Sequence, residues 1–238
     1  MANILTTMSR EAGDALRDAV SHLDGAAPAR DTWRRVLAAC TQIDSERFLA
    51  DFLDASQDPD VFRQLADGYD EKESCLRLRL TGTEALSVRL HIWTPPPPGQ
   101  EPYLENVHGH RRYMVSSLIA GAYLSDDYDY HEEAEELSPT GRRILGAGTC
   151  YLIAPETVHA VANPFPRHCV SLIYRGGSVT DRILIFDRDR GRPAAYTGVR
   201  PVGDLGKTTR ERAMSRTEYL RYRLDRIRAE SAAAPAPR

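Results

Sequence analysis

The chain has 238 residues, 42% of them hydrophobic and 27% charged, with a net charge of −3 and a pI near 6.2. That is enough apolar material for one substantial core with appendages. The weakly acidic balance gives no reason to expect nucleic acid or an anionic membrane surface as a partner. No apolar run approaches the roughly 20 residues of a membrane span, and residues 1–10 carry no signal-peptide core, so a cytoplasmic protein is expected. The four cysteines are scattered without a Cys-x-x-Cys pair, which argues against a zinc knuckle or a disulfide framework. Cys40, Cys75 and Cys150 sit in apolar surroundings and read as core residues.

Residues 1–72 read as a helical segment. Met8 to Leu23 is a weak helix ended by Gly25. Asp31 is placed to cap a helix whose Trp33, Val36, Leu37 and Cys40 recur at helical spacing, and Asp44-Ser45 opens another with Phe48, Leu49, Phe52 and Leu53 on one side. Asp58-Pro59 is an N-cap followed by proline at the first helical position, with Val61, Phe62 and Leu65 behind it. These helices are expected to pack outside a barrel or on a second subunit, as in a homodimer.

From Ser74 the period changes to two. Leu76, Leu78 and Leu80 alternate with Cys75, Arg77 and Arg79, and Leu86, Val88, Leu90 and Ile92 alternate with Ser87, Arg89, His91 and Trp93. Pro95 to Pro98 cannot continue a central ladder, because proline offers no donor. Tyr113 to Leu124 reads as strand, turn at Gly121, strand. The acidic run from Asp126 to Glu136 reads as a solvated loop, and His131 within it is left outside any site. Further strands are expected at 149–154, 159–163, 169–174 and 182–186, separated by turn signals. Residues 73–205 thus form a mainly β unit of eight or so short strands, suited to a barrel or jelly roll. Residues 206–230 read as a C-terminal helix with Thr208-x-x-Glu211 and Ser215-x-x-Glu218 as capping boxes and a stripe of Leu220, Leu224 and Ile227. Its arginines read as a solvated or subunit-facing surface, and residues 231–238 as a disordered tail.

Within the β unit, His108-Gly109-His110 places two imidazoles on one side of an extended strand. That is half of a metal site, and His159 is the obvious third ligand. Neutral imidazole suits iron, zinc, copper and nickel, whereas magnesium and calcium prefer oxygen.

The two histidine segments resemble the paired motifs of cupins. The first runs from His108-Gly109-His110 to Gly121, and the second holds Gly148, Pro155, His159 and Asn163 at matching spacing. Two departures stand out: Met114 and Val115 occupy the place of the usual motif glutamate, and Thr157 replaces a glycine. The resemblance implies a double-stranded β-helix barrel with a metal held by three histidines, His108, His110 and His159. Among cupins that ligand set is most familiar from thiol dioxygenases of the cysteine dioxygenase type. From Cys75 to Tyr174 the layout is similar to theirs, with an arginine-bearing strand, a Trp93-Thr94-Pro95 turn and then His-x-His. By position, Arg77 or Arg79 matches the carboxylate-binding arginine of that family, and Tyr174 lies near its tyrosine. Ser171-Leu172-Ile173-Tyr174 departs from the family's Ser-x-His-x-Tyr run.

The resemblance therefore implies an iron(II) oxygenase that takes O2 and a small carboxylate- or amino-acid-derived substrate, thiol-bearing or not. Zinc, nickel, manganese or copper in the same cage stays open, as does an isomerase, cyclase or hydrolase without O2, or a non-catalytic small-molecule binder. Arg77, Arg79, Arg89 and Arg112 are the candidate substrate anchors, since a guanidinium holds a carboxylate through two parallel hydrogen bonds. Tyr174 and Tyr113, with Tyr151 and His91 behind them, are the candidates for an acid, base or hydrogen bond at the reacting oxygen. Strand alternation puts Tyr174 opposite in parity to Cys169, Ser171 and Ile173, so only one set can face inward.

Overall fold

The structure is a computed structural model. It describes residue 14 and residues 30–72, 74–82, 87–102, 105–180, 184–187, 192–193, 211 and 213–233. Apart from residue 14, the expected helix at residues 8–23 lies outside the described residues, as do Thr208 and residues 234–238, whereas Ser231 and Ala232 of the expected tail are helical.

Three helices lead into the sheets: α1 (Arg30–Cys40), α2 (Ser45–Ala55) and α3 (Pro59–Gly68). Asp44 and Asp58 cap α2 and α3 as expected, their carboxylates accepting from backbone N–H groups of the first turn. Asp31 does not cap α1. The helix already includes Arg30, and Asp31 instead accepts from the Arg34 side chain at 3.2 Å.

Eleven strands follow among the described residues: β1 (Tyr69–Lys72), β2 (Cys75–Gly82), β3 (Ser87–Trp93), β4 (Met114–Ala120), β5 (Ala122–His131), β6 (Glu136–Gly146), β7 (Cys150–Ile153), β8 (Val158–Ala162), β9 (Cys169–Arg175), β10 (Phe186–Asp187) and β11 (Arg192–Pro193). Helix α4 (Arg216–Ala232) ends the fold, opened by the expected Ser215/Glu218 capping box. One antiparallel sheet has the order β1-β2-β3-β9-β4-β7, a second the order β6-β5-β8, and β10 and β11 form a small ribbon. The mainly β class with helices at both ends is as the sequence indicates.

Alternation decides what each face of the first sheet does. Leu76, Leu78, Val88, Leu90, Ile92, Val170 and Leu172 are nearly or wholly inaccessible and pack with Trp33, Val36, Phe48, Phe52, Phe62 and Leu65 of the helices. Each such side chain contributes about 1.5–3 kcal/mol by leaving water. Leu220, Leu224 and Ile227 of α4 enter the same cluster. The apolar stripe of α4 is thus in the core, and three of its arginines are held by the chain itself, while Arg216 and Arg226 stay exposed. Arg223 is buried against Glu211 at 3.1 Å, Arg228 donates to the carbonyl of Leu53, and Arg221 lies over the Phe62 ring.

The acidic run is a correction as well. Asp126 and Asp127 sit on β5, not in a loop, and face Arg142 and Arg143 across the β5–β6 pair, each carboxylate gripping its partner's guanidinium. The turn from β4 to β5 is where Gly121 was expected to place it. Gly121 has φ 69°, and a Cβ there would stand 2.3 Å from the carbonyl oxygen of His168.

Candidate metal centre and cavity

The opposite face of the first sheet and the β8 side of the second enclose a cavity of about 210 Å³. Val107 and His108 run beside β8, where His108 and His159 exchange both backbone hydrogen bonds, at 2.9 and 3.0 Å. That pairing fixes His108 against His159, and His110 follows two residues later on the same side. The three rings lie 4.8–5.1 Å apart, centroid to centroid. One ligand nitrogen from each lies within 4.8 Å of the others.

The donor set fits a metal. Nδ1 of His108 donates to the carbonyl of Asn106 at 2.9 Å, which leaves its Nε2 as the lone-pair nitrogen. Glu105 stands 3.8 Å behind that same ring. Burial, and next the neighbouring His108, push the His159 pKa down to about 4, so its imidazole is neutral near pH 7, as a ligand must be. The Nε2 atoms of His110 and His159 are 2.9 Å apart.

The arginines divide. Arg77, Arg89 and Arg112 line the cavity, but Arg79 is exposed and does not. In the β2–β3 register Arg79 stands opposite Arg89, just before the slip between Arg79 and Thr81. Arg77 is not uncompensated: β1, which the sequence reading had passed over, puts Asp70 directly opposite it, and the two form an ion pair. Arg112 donates to the carbonyl of Gly176 and to the hydroxyl of Ser178, both at 3.0 Å.

Of the tyrosine candidates, Tyr174 is on the wrong face. It is fully buried among the residues that pack on the helices, with Leu172 and Val170, while Ser171 and Ile173 turn to the cavity. Tyr113 is also absent from the cavity wall and stacks on Trp33 at 6.4 Å. Tyr151 does line the cavity, beside Tyr123, with their hydroxyls hydrogen-bonded to each other and Ser116 3.5 Å from that of Tyr123. Burial raises both phenol pKa values, so both remain protonated at neutral pH. His91 is a lining residue too. Arg111, Arg175, Tyr123 and Glu105 were not singled out from the sequence. Arg175 follows Tyr174 by one residue, so the alternation that removes Tyr174 was the available signal for it.

No family model matches the chain, and no curated protein does. Solved structures of similar shape include one described as DMSP lyases RdDddP and RnDddQII, 15% identical over 77% of this chain and 98% of that one, with a TM-score of 0.45. Another is an RmlC-like cupin from Shewanella frigidimarina, 17% identical over 47% of this chain and 84% of that one, with a TM-score of 0.34. A recombinant oxalate oxidase in complex with glycolate is 14% identical over 51% of this chain and 60% of that one, with a TM-score of 0.36. Among the described residues, no helix is long and apolar enough to cross a membrane.

Proposed function

We propose that the chain is a mononuclear metalloenzyme in which His108, His110 and His159 hold one divalent ion, iron(II), and in which O2 oxidises a small carboxylated substrate. The observation that supports it is the convergence of three imidazoles, with no carboxylate in the ligand set, on a cavity that arginines also line. Bound iron(II) on such a nitrogen set would supply open coordination positions and redox chemistry.

The rest is done by the protein's own side chains. Asn106 holds the tautomer of His108, and Glu105 lies behind it. Arg77, with Asp70 fixing its guanidinium, presents a planar fork to a carboxylate. The paired hydroxyls of Tyr123 and Tyr151 are protonated donors that can hydrogen-bond a developing oxyanion inside a partly closed site. The reading is tested by O2 uptake of anaerobically purified, iron-loaded protein against a panel of small carboxylic acids, amino acids and thiol acids. Uptake with at least one acid, absent from the His159→Ala protein, is expected. Turnover of an acid without O2 consumption would replace the oxygenase reading with metal-assisted isomerisation or hydrolysis.

A further inference from the structure

Resting on that reading of the site, we infer that its substrate carries two oxyanionic groups, the second held by Arg89 and Arg175. Among the described lining residues, five guanidiniums (Arg77, Arg89, Arg111, Arg112 and Arg175) face one carboxylate, Glu105, and that one lies against His108. A single-carboxylate substrate needs one of these forks.

The register shows how the charges are arranged. On the cavity face Arg77 pairs with His91, so Arg89, two residues along β3, is its diagonal neighbour. Ser87 pairs with Arg175, so Arg175 is in turn diagonal to Arg89 on β9. The three form an oblique stripe over β2, β3 and β9, at spacings within reach of long side chains. Asp70 satisfies the first of them directly but only approaches Arg89, at 3.8 Å, and the buried Nε of Arg89 has no hydrogen-bond partner. For Arg175 no carboxylate partner is found among the described residues.

Burial, followed by the neighbouring guanidiniums, lowers the Arg175 pKa to about 10, and the charges on it are Arg112, Arg89, Arg77 and Arg111, all of its own sign. Burying like charges together is costly unless an anion completes the site. Three neutral ligands would leave the charge of a bound divalent ion uncancelled, which adds to the same demand. The cavity, about 210 Å³, leaves room for a small acid such as a four- or five-carbon diacid or a short phosphorylated acid.

The test is binding, which needs no turnover. Calorimetric titration of the anaerobic iron-loaded protein with succinate, 3-phosphonopropionate and butyrate compares a dicarboxylate, a carboxylate with a phosphoryl-type group, and a monocarboxylate of succinate's carbon count. At least one of the two dianions is expected to bind tenfold or more tightly than butyrate, and the tighter of them identifies the second group. Arg89→Met and Arg175→Met should each collapse that preference while butyrate affinity and metal content stay near the parent's. Arg175→Lys, which keeps the charge and loses the fork, covers the case in which the methionine variants do not fold, and should lower the preference. A preference below tenfold for both dianions, or one that survives these substitutions, overturns the inference. Loss of metal from the parent protein would instead count against the three-histidine reading, so the two failures are separable.

Discussion

Gly176 joins the helical layer to the cavity, and adding one methyl group there tests how rigid that joint is. A Cβ at this position would stand 2.3 Å from Cζ2 of Trp33 and 3.1 Å from its Cη2. Ordinary carbon contacts begin near 3.5 Å, so the indole edge would have to withdraw by about 1 Å. It has little room, since Trp33 is 1% exposed and stacks on Tyr113. Overpacking a close-packed core costs about 1–3 kcal/mol, and for a domain of this size about 2 kcal/mol corresponds to a melting temperature lower by roughly 4–8 °C. The same residue's carbonyl accepts from Arg112, so the displacement reaches the cavity wall. Urea unfolding of Gly176→Ala, Trp33→Leu and the double variant isolates the contact. In the Trp33→Leu background, where the ring edge is gone, Gly176→Ala should cost less than about 0.5 kcal/mol. An equal cost in both backgrounds would refute the clash as its cause.

Arg77→Leu should raise KM for an anionic substrate by about tenfold to a hundredfold, through loss of a charge-assisted bond of about 1.5–3 kcal/mol. Arg79→Leu, at an exposed position, should leave KM within twofold, and the reverse ranking would contradict the placement of the two. Tyr151→Phe should lower kcat with little change in metal content, whereas Tyr174→Phe should affect activity only through stability. Equal kcat losses at unchanged stability would count against this division. Burial, ahead of the Arg223 and Arg226 charges, holds the His168 pKa below its usual 6.5 despite the hydrogen bond to Glu230. The unfolded chain therefore takes up that proton first, so stability should be lost as pH falls below about 6.5. Burial alone would raise the Glu230 pKa, but the His168 bonds outweigh it and bring it below 4.5, so a second loss is expected below that pH. Unfolding free energies at pH 7.5, 5.5 and 4 check this, and a flat profile would contradict it.

The histidine set was legible because His-x-His spacing and strand alternation are local facts, and a second motif supplied His159. The same alternation, applied to β9, already separated Tyr174 from Ser171 and Ile173; only the choice of inward face was missing, and the helical layer made it. Strand β6 escaped notice because most of it is exposed and it includes Pro139 and Gly141, so no apolar period marks it. What holds it on β5 is backbone pairing and the Asp126–Arg142 and Asp127–Arg143 pairs. Strand β1 is four residues, Tyr-Asp-Glu-Lys, too short and polar to announce itself, yet it carries the carboxylate that sets Arg77. Arg175 needed sheet order, since only the adjacency of β3 and β9 brings it diagonal to Arg89.

The central claim is that three imidazoles hold one metal ion, and elemental analysis of anaerobically purified protein tests it most directly. One equivalent of a transition metal, predominantly iron, is expected in the parent and less than about a tenth of that in His110→Ala, given the 10–100-fold affinity cost of even outer-shell changes at metal sites. A parent protein that takes up no metal when iron(II) is supplied, or a His110→Ala protein that keeps a full equivalent, would contradict it.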